Sequence, residues 1–117
     1  MSEINKLQKE IKKFCTERDW DQFHNAKDLA IGISTEAAEL LDIFRFKSLE
    51  EIEEMFANKG KEKIEEELSD ILFFVLRFAQ VYDINLNDSL LKKIEENKKK
   101  YPLDKSKGSN KKYTEFE

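Results

Sequence analysis

"EEELSDILFFVLRFAQ", residues 65–80, decides the fold. Ile71, Phe74, Phe78 and, just beyond it, Val81 recur at spacings of three and four, the period of one helical face. Glu67 and Asp70 are set into that stripe three residues apart, so their side chains neighbour each other on the same side. A helix in water ordinarily turns its acids outward. An unpaired carboxylate is costly to bury, and clustering several adds like-charge repulsion. The stretch therefore predicts a long helix from about Lys61 to Tyr82, with something that offsets the inward charge.

The same pattern occurs upstream. In "ISTEAAELLDIF", residues 33–44, Glu36 and Glu39 are again three apart, flanked by Ile33, Leu40 and Ile43. This predicts a second acid-bearing helix over about Ala26–Phe44. Glu50, Glu51, Glu53, Glu54, Glu62 and Glu65 lie in mixed-charge surroundings and read as solvated faces. Ile4, Leu7, Ile11 and Phe14 give a first amphipathic helix over about Ser2–Glu17. "RDWDQFHNAKD", residues 18–28, breaks the period and reads as an ordered loop. "SLEE" at Ser48–Glu51 is a capping box opening a short helix to about Phe56, which "NKG" at Asn58–Gly60 ends through the left-handed tolerance of Asn and Gly. A last helix is expected from about Ser89 to Lys100, stopped by Pro102. The remaining "LDKSKGSNKKYTEFE" is polar and aperiodic, ordered only if Tyr113 and Phe116 dock on something.

Composition agrees with helices. Of 117 residues, 39% are charged and 39% hydrophobic, with only 3 Gly and 1 Pro. The length fits one domain. A formal net charge of -4 argues against a nucleic-acid polymer as partner, which needs a concentrated basic face. A lone Cys15 has no internal partner for a disulfide, and no stretch has the apolar length of a signal peptide or a membrane span. The expectation is a soluble, cytoplasmic, all-α protein.

The apolar faces offer few lysines to balance the acids, so a divalent cation is the natural counter-charge. All-oxygen donors suit a hard ion, Mg²⁺ or Mn²⁺, whereas Zn²⁺ favours His or Cys, and His24 and Cys15 form no cluster. A di-iron bundle, the other fold that buries acids between helices, uses Glu-x-x-His pairs, and the single histidine, His24, is in none.

"EAAE" at Glu36–Glu39 and "ELSD" at Glu67–Asp70 resemble the ExxE…ExxD signature of the all-α nucleoside triphosphate pyrophosphatases, the MazG-like group. "RDWDQFH" at 18–24, "IFRFK" at 43–47, "KIEENKKKYP" at 93–102 and "KYTEF" at 112–116 are similar to stretches of its dCTP pyrophosphatase branch. The resemblance implies a four- to five-helix bundle of the MazG-like type over residues 1–102, completed by oligomerisation as a homotetramer or, failing that, a dimer. The polar tail, 103–117, would close over a neighbouring subunit's site. It implies Mg²⁺-dependent hydrolysis of a dNTP, dCTP favoured, to dNMP and pyrophosphate. Glu36, Glu39, Glu67 and Asp70 would hold the metal, with Glu36 or Glu39 taking a proton from water. No Ser, Cys or His is placed as a nucleophile, so water attacks directly.

On the substrate side the resemblance points to Trp20, His24, Phe46 and Phe74 around the base, and to Lys93, Asn97 and Tyr101 for phosphate and sugar. Phe23 is a further stacking candidate. Phe46 and Phe74 stand where Trp and Tyr are usual in the animal dCTPases, and Ile11 where a His occurs, which predicts a base preference broader than cytosine alone. The competing reading is a non-catalytic helical module that binds dNTPs or a protein partner. Loss of one of the four acids would mark it, and all four are present.

Overall fold

The computed structural model describes all residues, Met1–Glu117, and is helical throughout apart from short connections. In chain order the helices are α1 (Glu3–Glu17), α2 (Ala26–Phe44), α3 (Leu49–Ala57), α4 (Gly60–Val81), α5 (Leu86–Lys100) and the single turn α6 (Leu103–Ser106). 3-10 turns occupy Asp21–Phe23 and Tyr113–Glu115. No helix is long and apolar enough to cross a membrane.

Four helices start in the same way. Ser2, Asn25, Ser48 and Asn85 each accept a hydrogen bond from the backbone N–H three residues on. Such a cap satisfies an N–H that has no partner within the helix and contributes about 1 kcal/mol. The Ser48–Glu51 capping box forms in full, with both reciprocal bonds present. Asn85 also explains why α5 begins three residues before Ser89: the "NLND" stretch is a cap rather than a break.

The connection between α3 and α4 corrects the sequence-based expectation. Gly60 does not terminate α3 in a left-handed turn; it is the first residue of α4. Its missing side chain is needed because an added Cβ would lie 2.9 Å from Met55 Cβ and 3.1 Å from the Met55 carbonyl oxygen. The corner is too tight for anything but hydrogen.

Two compact units result, Met1–Asp83 and Ile84–Glu117. In the first, α4 is the hub and packs against α1, α2 and α3. Cys15 from α1, Leu29 and Gly32 from α2, and Ile64, Leu76 and Ala79 from α4 are buried. The inward face of α4 is thus shifted from the expected stripe: Ile71, Phe74 and Phe78 are half-buried, and Val81 is exposed. In the second unit the tail does dock. Tyr101 meets Tyr113 and Phe116 edge-on, with centroids 5.8 and 5.7 Å away, and Lys100 lies over the Tyr113 ring.

Candidate metal and nucleotide site

The close packing of α2 on α4 brings three of the four signature acids together. Glu36, Glu67 and Asp70 each present a carboxylate oxygen, and these oxygens all lie within 4.8 Å of one another. Glu67 is 4% exposed, Glu36 half-buried and Asp70 exposed. Glu39 is exposed and stands close enough to Glu36 and Glu67 to shift the titration of both. The helical spacing predicted each pair, but the pairing across helices comes from packing.

Charge is distributed unevenly over this cluster. Burial first, then the hydrogen bond to Glu39 and the negative charges of Glu39, Asp70 and Glu67, hold the Glu36 carboxyl above the ordinary range. Glu67 goes the other way, because Lys63 donates to it, against the opposing effect of burial. Lys63 Nζ sits 2.9 Å from Glu67 Oε1, and the lysine is raised in turn by that bond. The spacing of the apolar faces gave no sign of this lysine. Lys63 lies on the outer surface, 59% exposed, and reaches in along the helix by a four-residue step.

One lysine does not satisfy three acids. Glu36 Oε2 and Glu67 Oε2 are both buried without a hydrogen-bond partner. Buried acceptors are almost always satisfied, and an orphaned pair within an acid cluster can accept a cation. The donors are all carboxylate oxygens, which fits a hard divalent ion such as Mg²⁺ or Mn²⁺.

A line of aromatic rings leads away from the acids. Phe73 and Phe74, one turn beyond Asp70, meet edge to face at 5.4 Å. Phe73 meets Phe14 of α1 at 5.9 Å, and Phe14 meets Trp20 at 5.4 Å. Phe74 lies on Gly32, one turn before Glu36; a Cβ on that glycine would fall 2.6 Å from the ring. Gly32 carried no signal in the sequence beyond being a glycine inside a helix. Trp20 is half-open to solvent and Phe23 more so.

Phe46 stands apart. It follows α2 with φ 64°, a left-handed backbone that costs a bulky side chain energy, and it is 91% exposed. Only the Arg45 guanidinium, 4.7 Å from the ring centroid, covers it. His24 is held by Arg77 and half-buried. In the second unit, Lys93 is exposed and pairs weakly with Glu96 at 3.9 Å, Asn97 is half-buried, and Tyr101 carries the tail aromatics.

Helices without a strand, two of them joined by a cluster of carboxylates with two unsatisfied oxygens, define a class of all-α carboxylate proteins. The chain belongs to the MazG-like family, whose sequence profile matches residues 31–116. It is 33% identical over 117 residues to dCTP pyrophosphatase 1 of Mus musculus, covering 99% of this chain and 67% of that protein. For the Homo sapiens protein of the same name the identity is 31%, again with 99% and 67% covered. Among solved structures, a pyrophosphatase from Archaeoglobus fulgidus superposes with a TM-score of 0.81 at 35% identity, covering 87% of this chain and 94% of that one.

Proposed function

We propose that this chain is a nucleoside triphosphate pyrophosphohydrolase that uses Mg²⁺ to convert dNTPs, dCTP foremost, into dNMP and pyrophosphate. The observation that carries the reading is the convergence of Glu36, Glu67 and Asp70 with two orphaned, buried carboxylate oxygens. Relatives named dCTP pyrophosphatase 1 and the pyrophosphatase fold support the reaction class.

Glu36, Glu67 and Asp70, with Glu39 beside them, would hold the ion. Bound there, a divalent ion supplies charge neutralisation for the triphosphate and lowers the pKa of water. Glu39 is solvent-open and close to both Glu36 and Glu67, which suits it to accept the proton of the attacking water. The water oxygen bonds to the α-phosphorus, the bond from that phosphorus to the bridging oxygen breaks, and pyrophosphate leaves. Trp20, Phe74 and the displayed Phe46 offer flat apolar faces for a base, and a ring stacks on any base. Stacking excludes no dNTP, and the preference for dCTP follows the relatives named dCTP pyrophosphatase 1. Lys93, Asn97 and Tyr101 serve the phosphates and sugar in this reading.

The same reading includes self-association. Ile31 and Leu41 of α2 and Leu68 and Leu72 of α4 are apolar yet exposed, Leu41 by 69%. Apolar residues left open on two long helices suit a second copy of the chain, with a homotetramer as the expected state and tail residues 103–117 closing over a neighbour.

Incubation of the full chain with dCTP and Mg²⁺ in H₂¹⁸O, read by ³¹P NMR and mass spectrometry, tests the reaction. The expected products are pyrophosphate and dCMP carrying the label. Orthophosphate, or label in the pyrophosphate, would overturn it.

A further inference from the structure

The second buried charge of α4 is Arg77, 4% exposed, and nothing in the acid cluster uses it. Each of its three nitrogens donates a hydrogen bond. Nη2 donates to Asp21 Oδ1, Nη1 to Gln80 Oε1 at 2.8 Å, and Nε to His24 Nδ1 at 2.8 Å. Gln80 then donates to the Gln8 carbonyl at 2.7 Å, and Gln8 to the Leu76 carbonyl at 2.9 Å, tying the group to α1 and α4. Asp21 is fixed from its other oxygen as well, accepting from Thr16 Oγ1 at 3.0 Å. Arg77 therefore sits in a rigid frame whose charge is already met by Asp21. The bond to His24 is surplus to charge balance.

Its effect is on the imidazole. A guanidinium Nε–H only donates, so Nδ1 must keep its lone pair, and the proton of the neutral ring is confined to Nε2. Doubly protonating the ring would set N–H against N–H and cation against cation. Burial and then the Arg77 charge hold His24 below its ordinary value, with Asp21 opposing. The groups facing it are Asp21 from its own turn and Arg77 from α4, which in turn border the buried Cys15 thiol, with Arg18, at the end of α1. Trp20, Asp21 and His24 share one short turn, closed by bonds from the Phe23 N–H to the Trp20 carbonyl and from the His24 N–H to the Asp21 carbonyl.

We propose that Arg77 is a positioning residue: it fixes His24 as a neutral Nε2–H donor of set direction, offered beside Trp20 to an acceptor atom of the nucleobase. The donation to the base rests on the pyrophosphohydrolase reading; the coupling of Arg77 to His24 does not. An Nε2–H donor suits a base edge with carbonyl or ring-nitrogen acceptors, and gives the Trp20 loop a means of selection that stacking lacks.

His24 is the single histidine, so its ring nitrogens are unambiguous by long-range ¹H–¹⁵N NMR on the full chain. The expected result is one tautomer with the proton on Nε2 and a titration midpoint below about 6.5. Arg77→Met should mix the tautomers and move the midpoint up; Arg77→Lys, which keeps the charge but has no Nε, should mix the tautomers with the midpoint still held down, and serves if the methionine variant fails to fold. For the base, affinity for a non-hydrolysable α,β-imido analogue of dCTP is measured by calorimetry. His24→Gln, whose amide nitrogen takes the place of Nε2, should bind about tenfold more tightly than His24→Asn, whose amide takes the place of Nδ1, the value of about one hydrogen bond. An Nδ1–H tautomer, or an ordinary titration in the unaltered chain, would sink the positioning role. Equal binding by the two variants would sink donation to the base. Neither readout depends on turnover, so failure to hydrolyse dCTP is distinguishable from failure of either contact.

Discussion

Helix α4 buries two charges ten residues apart, Glu67 and Arg77, to the same depth. Their surroundings are opposite. Arg77 has a partner for each of its three nitrogens, two of them on neighbouring elements and all in place. Glu67 has one lysine on one oxygen, no hydrogen bond on the other, and the carboxylates of Glu36, Glu39 and Asp70 nearby. A buried charge whose partners come from the chain serves the architecture. A buried charge short of partners is kept for something that arrives. The difference separates scaffold from site along a single helix.

The widest test of that contrast is Glu67→Gln. Neutralising it removes a ligand and breaks the charged pair with Lys63 that holds Glu67 below the ordinary carboxylate range. Pyrophosphate release should fall by at least about 100-fold, on the scale of losing a charge-stabilising contact, while the chain stays folded with a slightly lower thermal midpoint. An unfolded or equally active variant would put Glu67 in the same class as Arg77. Next in size is Gly32→Ala. The new Cβ meets the Phe74 ring at 2.6 Å, so the ring or the α2–α4 spacing must shift, at a cost of about 1–3 kcal/mol. Chemical denaturation should register the loss, and adding Gly32→Ala to Phe74→Leu should cost less than adding it to the unaltered chain. Additive effects would mean the helix pair resists for another reason. The smallest is Phe46→Gly. Relief of the left-handed backbone should stabilise by about 1 kcal/mol, while the Michaelis constant for dCTP rises. A stability gain without a kinetic penalty would leave Phe46 outside the base site.

Elements were legible because they are local. Apolar spacing and cap residues specified α1 to α5 to within a few residues, and the miss at the start of α5 came from reading Asn85 as a breaker when its side chain caps. The four acids stood out because acids in an apolar stripe have no ordinary explanation. Lys63 is legible too, as the i,i+4 partner of Glu67 within α4. What the sequence concealed was interhelical. Arg77 sits inside "FFVLRF" and reads as an interruption, since its partners at Asp21 and His24 lie more than fifty residues away. Gly60 looks like a terminator, and only the nearness of Met55 shows why a side chain is forbidden there.

The seating of Tyr113 and Phe116 on Tyr101 turns the end of the chain from a loose thread into a strap fastened at both ends. Lys105, Lys107, Lys111 and Lys112 ride on that strap, so their positive charge stays within reach of the lysines that close α5 instead of sweeping through solvent. Fields from such charges fade over about 10 Å at 0.1 M salt. Unfastening the two rings would therefore dilute a local cationic field without deleting a single lysine.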